Sequence, residues 1–131
     1  MRLIFSLMFV GLIGLSQAQP TAEGSGVTVS QLAICRGIVD REPDGIDSVF
    51  DSAVERVYCY SKITGAEEEV MIEHIWYYNE EEVANVPLPV KAAVWRTYSS
   101  KKIDPAMTGD WMVKVMGQDG GVLREIVFEV K

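Results

Sequence analysis

Three features of the sequence predict an all-β fold, an antiparallel β-sandwich of the immunoglobulin-like kind. Its apolar residues fall in short runs rich in β-branched and aromatic side chains, and turn chemistry recurs at close spacing between those runs. Beyond the N-terminal apolar stretch, no segment sustains the 3.6-residue period of a helix. Short strands with alternating faces need a second layer, because each sheet must cover the other's apolar side. A small closed barrel is the alternative architecture.

The first strand is expected over residues 29–39. It stops at Asp40-Arg41-Glu42-Pro43-Asp44-Gly45, where proline and Asp-Gly oppose continuation of a ladder. Residues 47–55 have room for one or two helical turns but no apolar period, and read as an ordered loop. A second strand covers residues 56–63 and ends at Thr64-Gly65. In the third, residues 69–78, Val70, Ile72, His74, Trp76 and Tyr78 share one face, with Met71, Glu73, Ile75 and Tyr77 on the other. Asn79-Glu80-Glu81 turns the chain into residues 82–88, where Pro87 and Pro89 demand an edge position or two short pieces. Residues 93–99 alternate Trp95 and Thr97 against Arg96 and Tyr98. Residues 111–116 and 122–130 flank Gly117-Gln118-Asp119-Gly120-Gly121 and form a C-terminal hairpin.

Before these strands comes an export signal. Met1-Arg2, an apolar run to Leu15 and Ser16-Gln17-Ala18 have the order of a secretory leader, with cleavage expected after Ala18. The run is too short to span a bilayer, which takes about 20 apolar residues. Residues 19–27 are small and polar, a flexible lead-in, and residues 28–131 form one domain. The expected location is periplasmic or extracellular, with no membrane insertion after cleavage. The 131-residue chain carries a formal charge of −7, and loss of Arg2 leaves 11 basic against 19 acidic side chains. Nucleic acid is excluded as a partner, since phosphate binding needs a basic surface.

Cys35 and Cys59 are the only cysteines, each within an apolar-alternating run, and in an oxidising compartment they are expected to form a disulfide. Closing such a loop contributes about 3 kcal/mol in the chain-entropy account. Two buried thiols that never meet are the competing possibility.

His74 is the single histidine, placed by alternation among Val70, Ile72 and Trp76, where an imidazole is a hydrogen-bonded core residue more often than a catalyst. A hydrolase would pair it with Ser99 or Ser100 and Asp40, but no nucleophile-elbow motif surrounds either serine. One histidine and two distant cysteines make no zinc motif, and no cofactor is implied. Glu67-Glu68-Glu69 and Glu80-Glu81-Glu82 lack the spacing of a calcium loop and read as solvated turns. At the end of the first strand, Arg41 could bind an anionic group such as a carboxylate from outside, or Arg41 or Arg96 could clamp a carboxylate within the protein. Trp76 and Trp111 are assigned to packing, while Tyr77, Tyr98 and Tyr60 are candidates for an exposed platform against sugar faces.

The segments Cys35-Arg36-Gly37-Ile38-Val39-Asp40-Arg41-Glu42-Pro43, Val57-Tyr58-Cys59-Tyr60, Glu73-His74-Ile75-Trp76-Tyr77-Tyr78-Asn79, Trp95-Arg96-Thr97-Tyr98-Ser99-Ser100-Lys101 and Gly109-Asp110-Trp111 resemble the bacterial family catalogued as domain of unknown function 2914. The resemblance spans residues 32–128. It implies an exported or membrane-attached β domain and assigns no activity. Its motif residues Arg41, Glu42, His74, Arg96, Tyr98, Ser99 and Lys101 are the candidate binding set. The expected role is non-enzymatic binding or assembly at the cell envelope, with an envelope protein or a glycan as partner; a glycan-binding module and a small hydrolase using His74 and a serine are the alternatives.

Overall fold

The computed structural model describes residues 26–131, so the expected leader and nearly all of the lead-in lie outside the described residues. Ten strands follow in order: β1 (Thr28–Cys35), β2 (Gly37–Val39), β3 (Glu42–Asp44), β4 (Val49–Phe50), β5 (Arg56–Thr64), β6 (Val70–Tyr78), β7 (Glu81–Val90), β8 (Val94–Lys102), β9 (Gly109–Met116) and β10 (Val122–Val130). One sheet has the order β4-β10-β9-β6-β7, a second the order β1-β5-β8, and β2 and β3 pair as a separate hairpin. The two larger sheets are open and stack as a sandwich, as the alternation requires, and no closed barrel forms. Pairing is antiparallel except where β4 runs parallel to β10, at Val49 with Glu129 and Phe50 with Val130.

Alternation sets the core. Ile34, Val57 and Cys59 of one sheet meet Trp76, Trp111, Val113 and Phe128 of the other. Nearer the opposite end, Val29 and Ile63 pack with Ile72, Val90 and Val115. Val27, assigned from sequence to the lead-in, is buried in this second cluster. Beside it Gly65 has φ +95°, and a Cβ there would stand 2.7 Å from the Gly26 carbonyl oxygen, so the close approach of these two backbones requires glycine.

Four sequence expectations are refined or corrected. The first strand does not run unbroken to residue 39. It bends at Arg36, whose N–H donates to the carbonyls of Asp44 and Gly45 at 3.0 and 3.2 Å, folding β2 and β3 back over the outer face of the three-stranded sheet. Residues 47–55 contain β4 and a single 3-10 turn, Ser52–Val54, capped by the Asp51 carboxylate accepting from the Ala53 N–H. The proline-bearing stretch is one ten-residue strand at the sheet edge. Pro87 and Pro89 are two residues apart, so both missing N–H groups fall on the same side, away from the β6 ladder.

The expected disulfide is absent. Cys35 and Cys59 are both free and buried. Cys59 stands opposite Ile34, while Cys35 stands opposite Tyr58. This one-residue offset sends the two sulfurs to opposite faces of the sheet. Cys59 enters the inter-sheet core, and Cys35 lies on the side covered by the β2–β3 hairpin. Burial raises the pKa of both thiols, further for Cys59, so neither is a reactive thiolate at neutral pH.

Candidate functional site

The candidate residues divide between two places. His74 and Ser99 lie between the sheets; Arg41, Glu42, Arg96 and Tyr98 gather on the outer face. Lys101 joins neither, its ammonium donating to the Lys102 carbonyl at 3.2 Å.

His74 is fully buried on β6 and faces Ser61 of β5 and Ser99 of β8. Its Nε2 is 3.0 Å from the Ser61 hydroxyl and its Nδ1 2.7 Å from that of Ser99. The Trp76 indole N–H donates to the same Ser99 oxygen at 3.0 Å. One proton arrangement uses each group consistently. Trp76 donates to Ser99, Ser99 donates to Nδ1, and the Nε2–H of a neutral imidazole donates to Ser61. Burial alone pulls the imidazole pKa down to about 4, keeping the ring neutral. The cluster sits at the seam between the two apolar clusters and ties the two sheets together. The other partners considered from sequence are elsewhere: the Ser100 hydroxyl accepts from Arg56 at 2.7 Å, and Asp40 is exposed in the hairpin turn. Ser61 was not singled out from sequence, although its inward position between Cys59 and Ile63 on β5 is a usable signal.

The outer site is built by the hairpin. Asp40 and Arg41 form its two-residue turn, both with positive φ (52° and 66°), the geometry of a type I′ connection. An arginine held in the left-handed region is uncommon. The turn sets Arg41 at the mouth of a groove of about 560 Å³ that is also lined by Ile38, Tyr60, Val94, Trp95, Arg96 and Tyr98. Arg96 reaches from β8 to Glu42 on β3, with 3.3 Å between Nη2 and Oε2, and this ion pair fastens hairpin to sheet. The clamp suggested by the sequence therefore exists through Arg96, whereas Arg41 has no ion pair or hydrogen bond among the described residues. Tyr98 is half-exposed and tilts against Tyr58 with ring centroids 6.0 Å apart.

Tyr60, expected to be reachable, is 1% exposed because the hairpin covers it. Its phenol oxygen is buried with no hydrogen-bond partner. Burial raises its pKa, the Glu42 charge adds to that, and the Arg96 guanidinium opposes it. Arg96 thus lies close enough to offer the phenol oxygen a donor, but no acceptor stands within reach of the phenol proton. Tyr77, the third ring expected to be reachable, lines another groove and has the Lys114 ammonium 5.1 Å from its centroid. That groove, about 600 Å³, carries Glu80, Asp110 and Glu129 and none of the candidate binding set. Among the described residues no three His, Cys, Asp or Glu side chains converge as a metal site.

Among curated proteins nothing matches this sequence. Similar solved structures include a β-glucosidase from Listeria innocua in complex with glucose, 11% identical, with a TM-score of 0.42, over 79% of this chain and 15% of that one. Another is a β-glucosidase from Kluyveromyces marxianus, 7% identical, with a TM-score of 0.45, over 80% of this chain and 14% of that one. The chain spans only about 15% of the first enzyme's length, and likeness at this level carries no argument about activity. The family match described next begins after the Asp40–Pro43 and Val57–Tyr60 motifs and includes those around His74 and Arg96. Residues 69–130, spanning β6 through β10, match the family described as "Protein of unknown function (DUF2914)", and this match supports the family that the motifs resemble.

Proposed function

We propose that this domain works by binding, as an exported, non-enzymatic module of the bacterial envelope, and that its binding surface is the groove beneath the Gly37–Asp44 hairpin. The observation that carries the proposal is the convergence there of Arg41, Arg96 and Tyr98 from two separated motifs, over a buried phenol with an unused donor. Its volume lies in the range of ligand sites, about 300–1,000 Å³. Apolar walls with a few convergent polar groups are the usual composition of such sites. Glycan as the ligand draws support from the half-exposed Tyr98 ring in the groove lining, where a sugar face has something to stack on. The hydrolase alternative draws less. His74 and Ser99 do touch, but both are enclosed and neither lines a groove described here, so no substrate carbonyl has a path to the hydroxyl.

The test is capture from envelope extract on immobilised protein, comparing wild type, an Arg41→Ala/Arg96→Ala double variant and a Val127→Ser variant in the other groove. Wild type and Val127→Ser are expected to retain the same species and the double variant to lose it. The half-exposed Arg96–Glu42 pair is worth about 0–1 kcal/mol, so the double variant should stay folded. Equal capture by all three proteins, or none by wild type, would sink the proposal.

A further inference from the structure

Resting on the groove as the binding surface, we infer that it takes a monoanionic carboxylate carried on an apolar or ring-bearing body. Three independent features specify this chemistry. The first is charge. Arg41 and Arg96 are the charged side chains of the lining; Glu42 at its border pairs with Arg96, and Arg41 is left as the one cation of the lining without an ion pair, in a protein of formal charge −7. A single negative charge balances that, while a phosphate dianion would leave an excess with no lysine in the lining to meet it.

The second is donor geometry. Arg96 already holds a carboxylate, that of Glu42, at 3.3 Å, and a guanidinium presents paired donors suited to the two oxygens of such a group. Glu42 meets Arg96 at Nη2, and the guanidinium has further N–H donors to offer an incoming carboxylate while Glu42 stays in place. Beside this pair the Tyr60 hydroxyl is buried with no acceptor for its proton. Its proton is retained because burial disfavours the phenolate, so what it offers is a donor, and a carboxylate oxygen is the acceptor it lacks. Buried hydroxyls rarely leave their donor unused, so this proton is positioned to serve a ligand oxygen that enters the groove.

The third is the rest of the lining. Ile38, Ala92 and Val94 give the groove apolar walls, and Tyr98 adds a ring to them. A bare acetate would leave those walls wet, whereas a ring or short aliphatic body covers them.

The experiment uses the purified protein and three probes of one shape: 3-phenylpropionate, 3-phenylpropionamide and 2-phenylethylphosphonate. Amide ¹H–¹⁵N shifts are followed in titrations at pH 7.5. The carboxylate is expected to shift Tyr60 and residues 94–98 saturably, at least about tenfold more tightly than the neutral amide, since a charge-assisted hydrogen bond is about twice as strong as a neutral one. The phosphonate should bind more weakly than the carboxylate. Tyr60→Phe should weaken carboxylate binding about fivefold, in line with loss of one hydrogen bond, and should melt no lower than wild type because it removes an orphaned polar atom. Arg96→Gln should weaken it about tenfold. Equal affinities for carboxylate and amide, tighter binding of phosphonate, or no effect of Tyr60→Phe would each overturn the carboxylate assignment. Failure here together with groove-dependent capture from envelope extract would leave the groove as a binding surface for some other chemistry; failure of both removes it.

Discussion

Trp111→Ala is expected to lower the melting temperature by roughly 15–30 °C, the largest effect of any single substitution considered. The indole is 2% exposed and stacks on Phe128 with ring centroids 5.7 Å apart and planes at 19°. The Tyr78 ring centroid lies 4.9 Å from that of the indole, and the Trp111 indole N–H donates to the Met107 carbonyl at 3.0 Å. Truncating a buried tryptophan costs about 3–5 kcal/mol in lost transfer energy and cavity. A domain of this size is stable by only about 5–15 kcal/mol, and each kcal/mol moves its melting point by about 4–8 °C. Tyr98→Ala, which removes a half-exposed ring, should move it far less. Thermal melts followed by circular dichroism compare the two directly. A Trp111→Ala protein melting within about 5 °C of wild type would show that these ring contacts do not pin the core.

What the sequence reveals and conceals follows from where each kind of information resides. Period-two alternation reports which side chains share a face, so Trp76, Trp111, Val113 and Phe128 are legible as one interior without knowledge of the topology. The prolines at 87 and 89 are legible as an edge because a missing N–H is tolerable only where no neighbour needs it. Register is a different matter. A shift of one residue between β1 and β5 decides whether Cys35 and Cys59 meet, and local pattern holds no record of it. The parallel pairing of β4 is equally a non-local outcome, fixed by where the chain returns after residue 45.

The candidate site shows the same division. Arg41, Arg96 and Tyr98 could be picked out as residue types with chemistry to offer, yet their meeting depends on the bend at Arg36 that folds the hairpin over the sheet. Tyr60 illustrates the cost of ignoring that cover. By alternation it faces outward with Tyr58 and Lys62 and should be wet; the hairpin makes that outer patch a second, smaller interior. In a two-layer fold, outward by parity means exposed only if no other segment of the chain packs on that face.

His74 gives the second large effect, a loss of stability confined to mildly acid solution. In the unfolded chain its imidazole takes a proton near the ordinary value of about 6.5, whereas in the folded protein burial holds it off until about pH 4. Between those values the unfolded state binds the extra proton, so stability falls as pH falls, at about 1.4 kcal/mol per pH unit. The stabilising contribution is complete above pH 6.5, and about 3 kcal/mol is lost by pH 4, below which both states are protonated. Asp47 has the same sign but acts only below its ordinary value of 3.8, where hydrogen bonds from the Ser48 and Val49 N–H groups hold it ionised, so it does not contribute within this window. Protonation of His74 also makes Nδ1 a donor, obliging Ser99 to reverse its hydroxyl while still accepting from Trp76. His74→Gln removes the titration while retaining an amide able to meet one serine. It should be less stable than wild type at pH 8 by about 1–3 kcal/mol, with a much flatter profile between pH 6.5 and 4. Urea unfolding midpoints for both proteins across that range provide the check, and parallel profiles would assign the acid sensitivity to some group other than this imidazole. The shape of the curve also bears on catalysis: a general base at neutral pH needs a pKa near 7, and a ring that resists its proton to about pH 4 is set for holding two sheets together.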